Sequence, residues 1–372
     1  MDPKLNKNQA WLRQLSCLIL ALLVVVLPLV LPPFRLNLLG RFLSLGIVAL
    51  GIDLIWGFTG LLSLGQGIFF ALGGYALGMY LQLQSLSPGE LPEFFGLYGV
   101  KVMPAFWQPF SSGIFTFFAI WLIPAAVAGI LGFLVFRNRI KGVYFSILTQ
   151  AALLVFFNFF NGQQKLINGT NGLKTDTAKL MGELVGGDNM QRNLYLFTVI
   201  VLFLAWLFSK WLTHGRFGDA LIALRDDEQR LRFTGYNPTA YKTLVFVIAA
   251  AFAGISGALY TVQSGIVSPQ FMAVPFSIEM VIWVAVGGRG TLVGAILGAL
   301  LINFAKSLIS EQLPETWLFI QGGLFLLVVT ALPDGLVGWW YGGGKAHLLA
   351  LFGCAPKSAT YPSLDLDPER QR

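Results

Sequence analysis

The chain has 372 residues, of which 56% are hydrophobic and only 12% are charged, and its net charge is +7. A soluble domain carries about 25% charged residues, so this composition excludes a soluble protein and predicts a membrane protein. The basic residues fall in short loops between apolar runs, which argues against nucleic-acid binding. The two cysteines, Cys17 and Cys354, lie far apart, and neither histidine has neighbours at ligand spacing, so no metal site is predicted.

Runs of about 17 to 25 mainly apolar residues predict membrane-spanning helices, and the sequence contains about ten of them. In chain order they cover 13–32, 36–57, 61–83, 113–135, 142–160, 194–212, 243–262, 274–288, 292–310 and 317–333. The expected fold class is therefore an all-α integral membrane protein. The run 274–288 is short and ends in a Gly-rich turn, which is typical of a tilted, broken or re-entrant helix. Further along, Gly290, Gly294 and Gly298 predict a seam of close helix packing.

Basic loops indicate how the spans are oriented, because Lys and Arg are enriched on the cytoplasmic side of a membrane. The loops around 137–141 and 213–242 and the turn at Arg289 are basic and fall on one side of the predicted bundle. This pattern predicts a multi-pass protein of the bacterial inner (plasma) membrane with both termini cytoplasmic. The loops 84–112 and 161–193 are then periplasmic. Residues 1–340 form one transmembrane domain, and the polar tail 341–372 is predicted to be cytoplasmic and disordered.

Several polar side chains lie inside the predicted spans, where they are costly unless they face a cavity or another helix. The candidates for a substrate pathway are Asp53, Gln66, Gln150, Asn158 and Glu279. Helix-to-helix hydrogen bonds are an equally open interpretation for most of them. For Asn303 and Lys306 a structural contact is favoured over substrate binding.

The predicted cytoplasmic segment 217–238 is both charged and amphipathic. Its apolar residues are Ala220, Leu221, Leu224, Leu231 and Phe233. The pattern predicts short helices lying at the membrane face and ending at Gly235 and Pro238. An ordinary connecting helix and a coupling helix that docks on a cytoplasmic partner both fit. If the segment couples to a partner, the candidate contacts are Asp219, Arg225, Asp226, Glu228 and Gly235.

Five ordered blocks resemble the permease subunits of branched-chain amino acid and urea ABC importers. They are 60–67 (GLLSLGQG), 139–146 (RIKGVYFS), 168–173 (NGTNGL), 217–260, and 277–280 with 287–292 (SIEM, GGRGTL). The resemblance covers 36–338. It implies an ABC importer transmembrane domain that lies in the lipid bilayer and works with a second homologous permease subunit, two cytoplasmic ATPase subunits and a periplasmic solute-binding protein. The Glu-Ala-Ala…Gly coupling signature of many importers is only loosely echoed by Glu228 and Gly235.

The substrate expected from the resemblance is urea, taken up from the periplasm, because 91–109, 139–150 and 313–317 are more similar to the urea branch. Urea also needs no charged partner, and no clear cationic site is evident deep in a span. The alternatives are a branched-chain or other amino acid permease, or a stand-alone secondary transporter or channel. The chain is expected to be no enzyme and to bind no cofactor. It has no phosphate-binding Gly-x-x-x-x-Gly-Lys-Ser/Thr motif, so ATP would be used by the partner subunits.

Overall fold

The computed structural model describes residues 30–87, 90–140, 142–180, 182–312, 316–331 and 335–339. The predicted first span, 13–32, lies almost entirely outside the described residues. The predicted tail, 341–372, lies wholly outside them. Both expectations therefore stay predictions, together with the location of the two termini.

The described part of the chain is built almost entirely of helices. In chain order they are α1 (Pro33–Thr59), α2 (Gln66–Gln84), α3 (Glu93–Leu97), α4 (Gly113–Arg137), α5 (Val143–Gly162), α6 (Gln164–Ile167), α7 (Asp188–Thr213), α8 (Arg216–Asp226), α9 (Glu228–Phe233), α10 (Pro238–Ser264), α11 (Val274–Gly287), α12 (Leu292–Gln312), α13 (Trp317–Ala331) and α14 (Gly335–Trp339). Short 3₁₀ turns cover Gln108–Ser111, Gly169–Asn171 and Pro269–Met272. The strands are β1 (Leu173–Lys174), β2 (Lys179–Leu180), β3 (Glu183–Leu184) and β4 (Ile266–Val267).

The predicted spans from 36–57 onward coincide with α1, α2, α4, α5, α7, α10, α11, α12 and α13, which confirms an all-α membrane protein. Six of these helices, α1, α4, α5, α7, α10 and α12, are long and apolar enough to cross a membrane. The helices α11 and α13 have 14 and 15 residues. At 1.5 Å per residue, α11 is about 21 Å long, less than the roughly 30 Å of hydrocarbon in a bilayer.

The short helix α11 is surrounded by protein. Its residues from Glu279 to Gly287 are all buried, and Trp283 is fully enclosed. Non-helical backbone at membrane depth is tolerated where neighbouring protein covers it. Protein covers α11, so the chain can leave the helix on either side of it within the bundle. This accounts for a span, 274–288, that is shorter than the others.

The centre of the molecule is α10, which packs against α1, α2 and α4. Glycines allow backbone-to-backbone contact there: a Cβ atom on Gly73 of α2 would lie 2.1 Å from the carbonyl oxygen of Gly254. On α10 a Cβ atom on Gly257 would lie 1.8 Å from the carbonyl oxygen of Phe70. Helices in a membrane associate by this kind of close packing, because lipid is as apolar as the helices and the hydrophobic effect does not drive them together.

A second glycine contact joins α11 and α12, as the sequence predicts. A Cβ atom on Gly298 would lie 2.0 Å from the carbonyl oxygen of Trp283, and one on Gly294 would lie 2.6 Å from that of Gly287. The seam is confirmed for these two glycines. Gly290 lies in the turn before α12, with a positive φ of 73°, so its role is to shape the turn.

The loop 161–193 is anchored to the end of α10. Strand β1 pairs with β4 in antiparallel orientation, and β2 pairs with β3. The backbone N–H of Thr175 donates to the carbonyl of Gly265 at 2.7 Å, and its hydroxyl donates to the carbonyl of Thr261 at 3.1 Å. The indole N–H of Trp107 donates to Leu166 at 2.9 Å, which ties the loop 84–112 to the same end.

The three basic loops gather at the opposite end of the bundle. Thr239, just after the 217–238 segment, donates to the carbonyl of Phe136 at 3.3 Å. The guanidinium of Arg289 lies 4.9 Å from the centre of the Trp56 ring, near the end of α1. This clustering fits the charge-based orientation, and we refer to this end as the predicted cytoplasmic end.

Replacing Gly298 by Ala should destabilise the fold, because the added methyl group must push α12 away from the backbone of α11. Overpacking of this kind costs about 1–3 kcal/mol. The expected result is a lower midpoint of thermal unfolding for the detergent-purified protein. Gly322→Ala in α13 is the matched control, since nothing lies within 4 Å of its added Cβ atom. Equal midpoints for the two variants would contradict the seam.

Candidate functional site

The segment 217–238 folds into two helices, α8 and α9, that meet at Asp227. The Asp227 side chain accepts hydrogen bonds from the backbone N–H groups of Gln229 and Arg230, at 2.9 and 3.2 Å, and so caps α9. The buried face of the pair is formed by Ala220, Leu221, Leu224 and Leu231. The predicted amphipathic helices are therefore present at the membrane end of the bundle.

Two of the predicted coupling residues point toward the transmembrane helices. The Arg225 guanidinium donates from Nη1 to the carbonyl of Gly57 in α1 at 2.9 Å. The Glu228 carboxylate accepts from Lys242 Nζ of α10 at 2.8 Å, and the Lys242 side chain is only 6% exposed. These residues join the segment to the bundle.

The other three predicted coupling residues, Asp219, Asp226 and Gly235, are exposed. Phe233 in α9 is 89% exposed, unlike the other four apolar residues that the sequence pattern contains. The chain breaks at Asp227, so the apolar pattern of α8 does not continue through α9. An exposed aromatic ring among charges is typical of a surface that a partner protein covers.

Asp53 is fully buried and lies against the turn between α11 and α12. Its Oδ1 accepts the backbone N–H of Gly290 at 2.6 Å. Gly57, one helical turn further on, makes room for the carboxylate, since a Cβ atom there would lie 2.4 Å from Oδ1. This contact gives Asp53 a structural role. A role in the substrate pathway stays a prediction.

Gln66 begins α2 and is 1% exposed. Neither atom of its side-chain amide has a hydrogen-bond partner among the described residues. Next to it, the backbone N–H of Gly67 donates to the hydroxyl of Ser277 in α11 at 3.3 Å. A buried amide without partners is costly, so this position is chemically suited to bind a polar molecule.

Gln150 and Asn158 lie on α5 toward its exposed side. Asn158 is exposed and its amide donates to the carbonyl of Leu154, one turn earlier in the same helix, at 2.9 Å. Gln150 is half-buried, and Ile147 and Leu154 on the same side are 57% and 44% exposed. Amide side chains are unfavourable against lipid, so this face is suited to a protein partner or an aqueous path.

Glu279 of α11 and Lys306 of α12 form an ion pair, with Nζ 2.9 and 2.7 Å from the two carboxylate oxygens. The Glu279 side chain is 5% exposed and that of Lys306 is 38% exposed. The sequence indicated Glu279 as a pathway candidate and Lys306 as a structural residue, without pairing them. Their ion pair favours a structural contact for both. Asn303 donates to the carbonyl of Ala299 at 2.8 Å, within its own helix.

At the opposite end, polar and apolar residues line a cleft of about 300 Å³ that we call the outer cleft. Its polar residues are Asn37, Arg41, Asp176, Asp188, Gln191, Gln263 and Ser264. Arg41 lies within α1 and donates from Nε to the carbonyl of Gln263 at 3.1 Å. Among the described residues its guanidinium forms no ion pair. The sequence analysis missed Arg41, although a single Arg inside the apolar run 36–57 was a signal for it.

The predicted pathway residues do not converge on one site. Gln66 and Glu279 belong to neighbouring elements, because Gly67 contacts Ser277, two residues before Glu279. Asp53 lies at the predicted cytoplasmic end, against Gly290. Within the described ranges, no hydrogen bond or ion pair joins Asp53, Gln66, Gln150, Asn158 and Glu279 to one another.

The chain matches a family model described as a branched-chain amino acid transport system / permease component, over residues 34–329. It is 28% identical over 314 residues to the high-affinity branched-chain amino acid transport system permease protein LivM of Salmonella typhimurium. That match covers 78% of this chain and 67% of the relative. No solved structure matches the chain.

Two further relatives have similar names. The chain is 23% identical over 310 residues to the permease protein BraD of Pseudomonas aeruginosa, covering 78% of this chain and 91% of the relative. It is 22% identical over 311 residues to the permease protein LivH of Escherichia coli, covering 78% of this chain and 90% of the relative. Both are named for high-affinity branched-chain amino acid transport.

Removing the Glu279 carboxylate distinguishes its structural role from a role in transport. Glu279→Gln leaves Lys306 without its partner, so the thermal midpoint should fall by an amount equivalent to roughly 1–3 kcal/mol. The double variant Glu279→Gln with Lys306→Met should recover most of that loss, together with uptake. A single variant that keeps its midpoint but loses uptake would instead assign Glu279 to the pathway.

Proposed function

Because the chain belongs to the family of branched-chain amino acid transport permease components, we propose that it is the membrane subunit of an ATP-driven importer of branched-chain amino acids. The match over residues 34–329, which extends from the start of α1 into α13, carries this proposal. The chain would move the solute, and the ATPase subunits would supply the energy.

The comparisons do not support urea as the substrate, and they favour the amino acid alternative. One chemical reason for expecting urea was the lack of a clear cationic site deep in a span. Arg41 weakens that reason, because it lies inside α1 and lines the outer cleft.

The outer cleft has the chemistry to receive a zwitterion with an aliphatic side chain. Arg41 offers a guanidinium to a carboxylate, which it can bind through two parallel hydrogen bonds. Asp176 and Asp188 on the cleft wall offer acceptors to an ammonium group. The apolar wall is formed by Pro33, Phe34, Val185 and Val262. A branched-chain amino acid presents these three chemical features together.

The exposed face of α5 is suited to the path itself. Gln150 and Asn158 offer amide groups there, and a second, homologous permease subunit covering this face would enclose them between the two chains. The predicted cytoplasmic end offers the exposed surface of α8 and α9, with Asp219, Asp226 and Phe233, to the ATPase subunits. A periplasmic solute-binding protein would deliver the solute to the opposite end.

The proposal predicts which solute depends on this gene. Uptake of labelled leucine and labelled urea, measured at low concentration in cells lacking the gene and in cells with it restored, should show loss and recovery of leucine uptake alone. Loss of urea uptake alone would return the protein to the urea assignment. If neither solute were affected, a branched-chain amino acid importer would be excluded under those conditions.

Arg41→Gln should reduce leucine uptake by about tenfold or more at low leucine concentration, because one charge-assisted hydrogen bond is worth about 1.5–3 kcal/mol. The expected change is a higher KM with the amount of membrane-inserted protein unaltered. Arg35→Gln is the control, since this exposed residue on the same helix removes an equal charge and does not line the cleft. Equal uptake kinetics in the two variants would show that the outer cleft does not bind the solute during transport.

A further inference from the structure

The chain between α1 and α2, residues 60–65, is irregular and mostly buried, and we call it the break. Leu61, Ser63 and Gly65 are buried, and Leu62 and Leu64 are half-buried. Backbone groups in such a position need partners from the protein. The side chains that contact the break and the helix end before it come from α5 and α8.

One side of the break is held by the first turns of α5. The hydroxyl of Ser146 donates to the carbonyl of Leu62 at 2.7 Å. The hydroxyl of Thr149 accepts the backbone N–H of Leu64 at 3.1 Å. Both side chains are buried, at 8% and 6% exposure, so these bonds are shielded from competing water. The break and α5 are therefore joined at two backbone groups that lie two residues apart.

The other side of the break is held by Arg225 of α8. Its guanidinium donates to the carbonyl of Gly57 at 2.9 Å, at the C-terminal end of α1, where helix carbonyls lack partners and favour a positive charge. Its aliphatic stem covers Gly60, because a Cβ atom there would lie 3.0 Å from Cγ. Among the described residues this is the one side-chain hydrogen bond between α8 and α1.

The neighbouring ion pair keeps this contact in place. Glu228 begins α9 and binds Lys242 near the start of α10, so α9 is fixed to the central helix while Arg225 contacts the end of α1. A displacement of α8 would thus act on Gly57 and Gly60 directly. From there the next hydrogen bonds from the break to another helix are the two bonds to α5.

We propose that Arg225 is a positioning residue that transmits movement of α8 through the break to α5, the helix that presents Gln150 and Asn158. The inference rests on the proposed function, because the movement would be imposed on α8 by the ATPase subunits. It adds a route within this chain: Arg225, the break, then Ser146 and Thr149. The sequence block 60–67, which contains the break, would therefore pass the movement from α8 to α5.

The test follows the movement of α5 with a cysteine probe, which requires no knowledge of the substrate. The assembled transporter, with both permeases and the ATPase subunits, is placed in lipid nanodiscs with Cys17 and Cys354 replaced by Ser. Ala151→Cys then adds a thiol on the exposed side of α5. Its rate of reaction with a maleimide is measured with and without ATP and vanadate, and transport per ATP hydrolysed is measured in vesicles.

We expect ATP and vanadate to change the labelling rate in the parent protein, and Arg225→Gln to abolish this change while ATP hydrolysis continues. Transport per ATP should fall by about tenfold, the effect of one lost charge-assisted hydrogen bond. Arg137→Gln is the charge-matched control: this exposed residue at the predicted cytoplasmic end lies over the Phe133 ring of its own helix, and among the described residues its side chain forms no hydrogen bond or ion pair. It should behave as the parent.

Thr149→Val tests the same route from the α5 side, with Arg225 intact. It replaces the first test if the Arg225→Gln transporter does not assemble. It should also abolish the labelling change. A nucleotide-dependent change that survives in either variant, or that is absent from the parent, would overturn the inference. Failure of the parent to transport leucine, with the labelling result as expected, would instead reject the proposed substrate and leave the inference standing.

Discussion

Backbone N–H and C=O groups in a membrane must find their partners within the protein, and three of the described segments where a helix ends show how this chain meets that requirement. At 60–65 the partners come from α5, through Ser146 and Thr149. After α10, the carbonyl of Gly265 is bound by Thr175. In the turn before α12, Gly290 is bound by Asp53. Several polar side chains within the spans therefore support backbone that has left the helix.

The sequence allowed the spans and the seam of Gly294 and Gly298 to be predicted, because both depend on residues close together in the chain. The pairings could not be predicted in the same way. Asp53 and Gly290 are 237 positions apart, and Arg225 and Gly57 are 168 positions apart. Only the packing of whole helices brings such residues together. The exposure of Phe233 could not be predicted either, because Asp227 interrupts the helical pattern and starts a new helix of six residues.

The substrate was harder to infer from sequence than the fold. The segment 91–109, one of those that suggested urea, lies mainly between helices, and connecting segments vary more readily than the elements they join. Arg41 was counted as part of an apolar run. Its guanidinium lines a cleft formed by α1, α10 and the loop 161–193, and no local pattern reveals that cleft. A single charge within a span is best considered together with the elements that surround it.

The contacts of Gly73 with Gly254, and of Gly257 with Phe70, have a mechanical consequence. Where two backbones touch, no side chain remains between the helices to change rotamer and absorb a displacement. Close-packed protein of this kind has low compressibility and passes strain on. The inner pair of α2 and α10 would then move as one rigid unit, and elastic deformation during a working cycle would be confined to the periphery, where α5 and α8 lie.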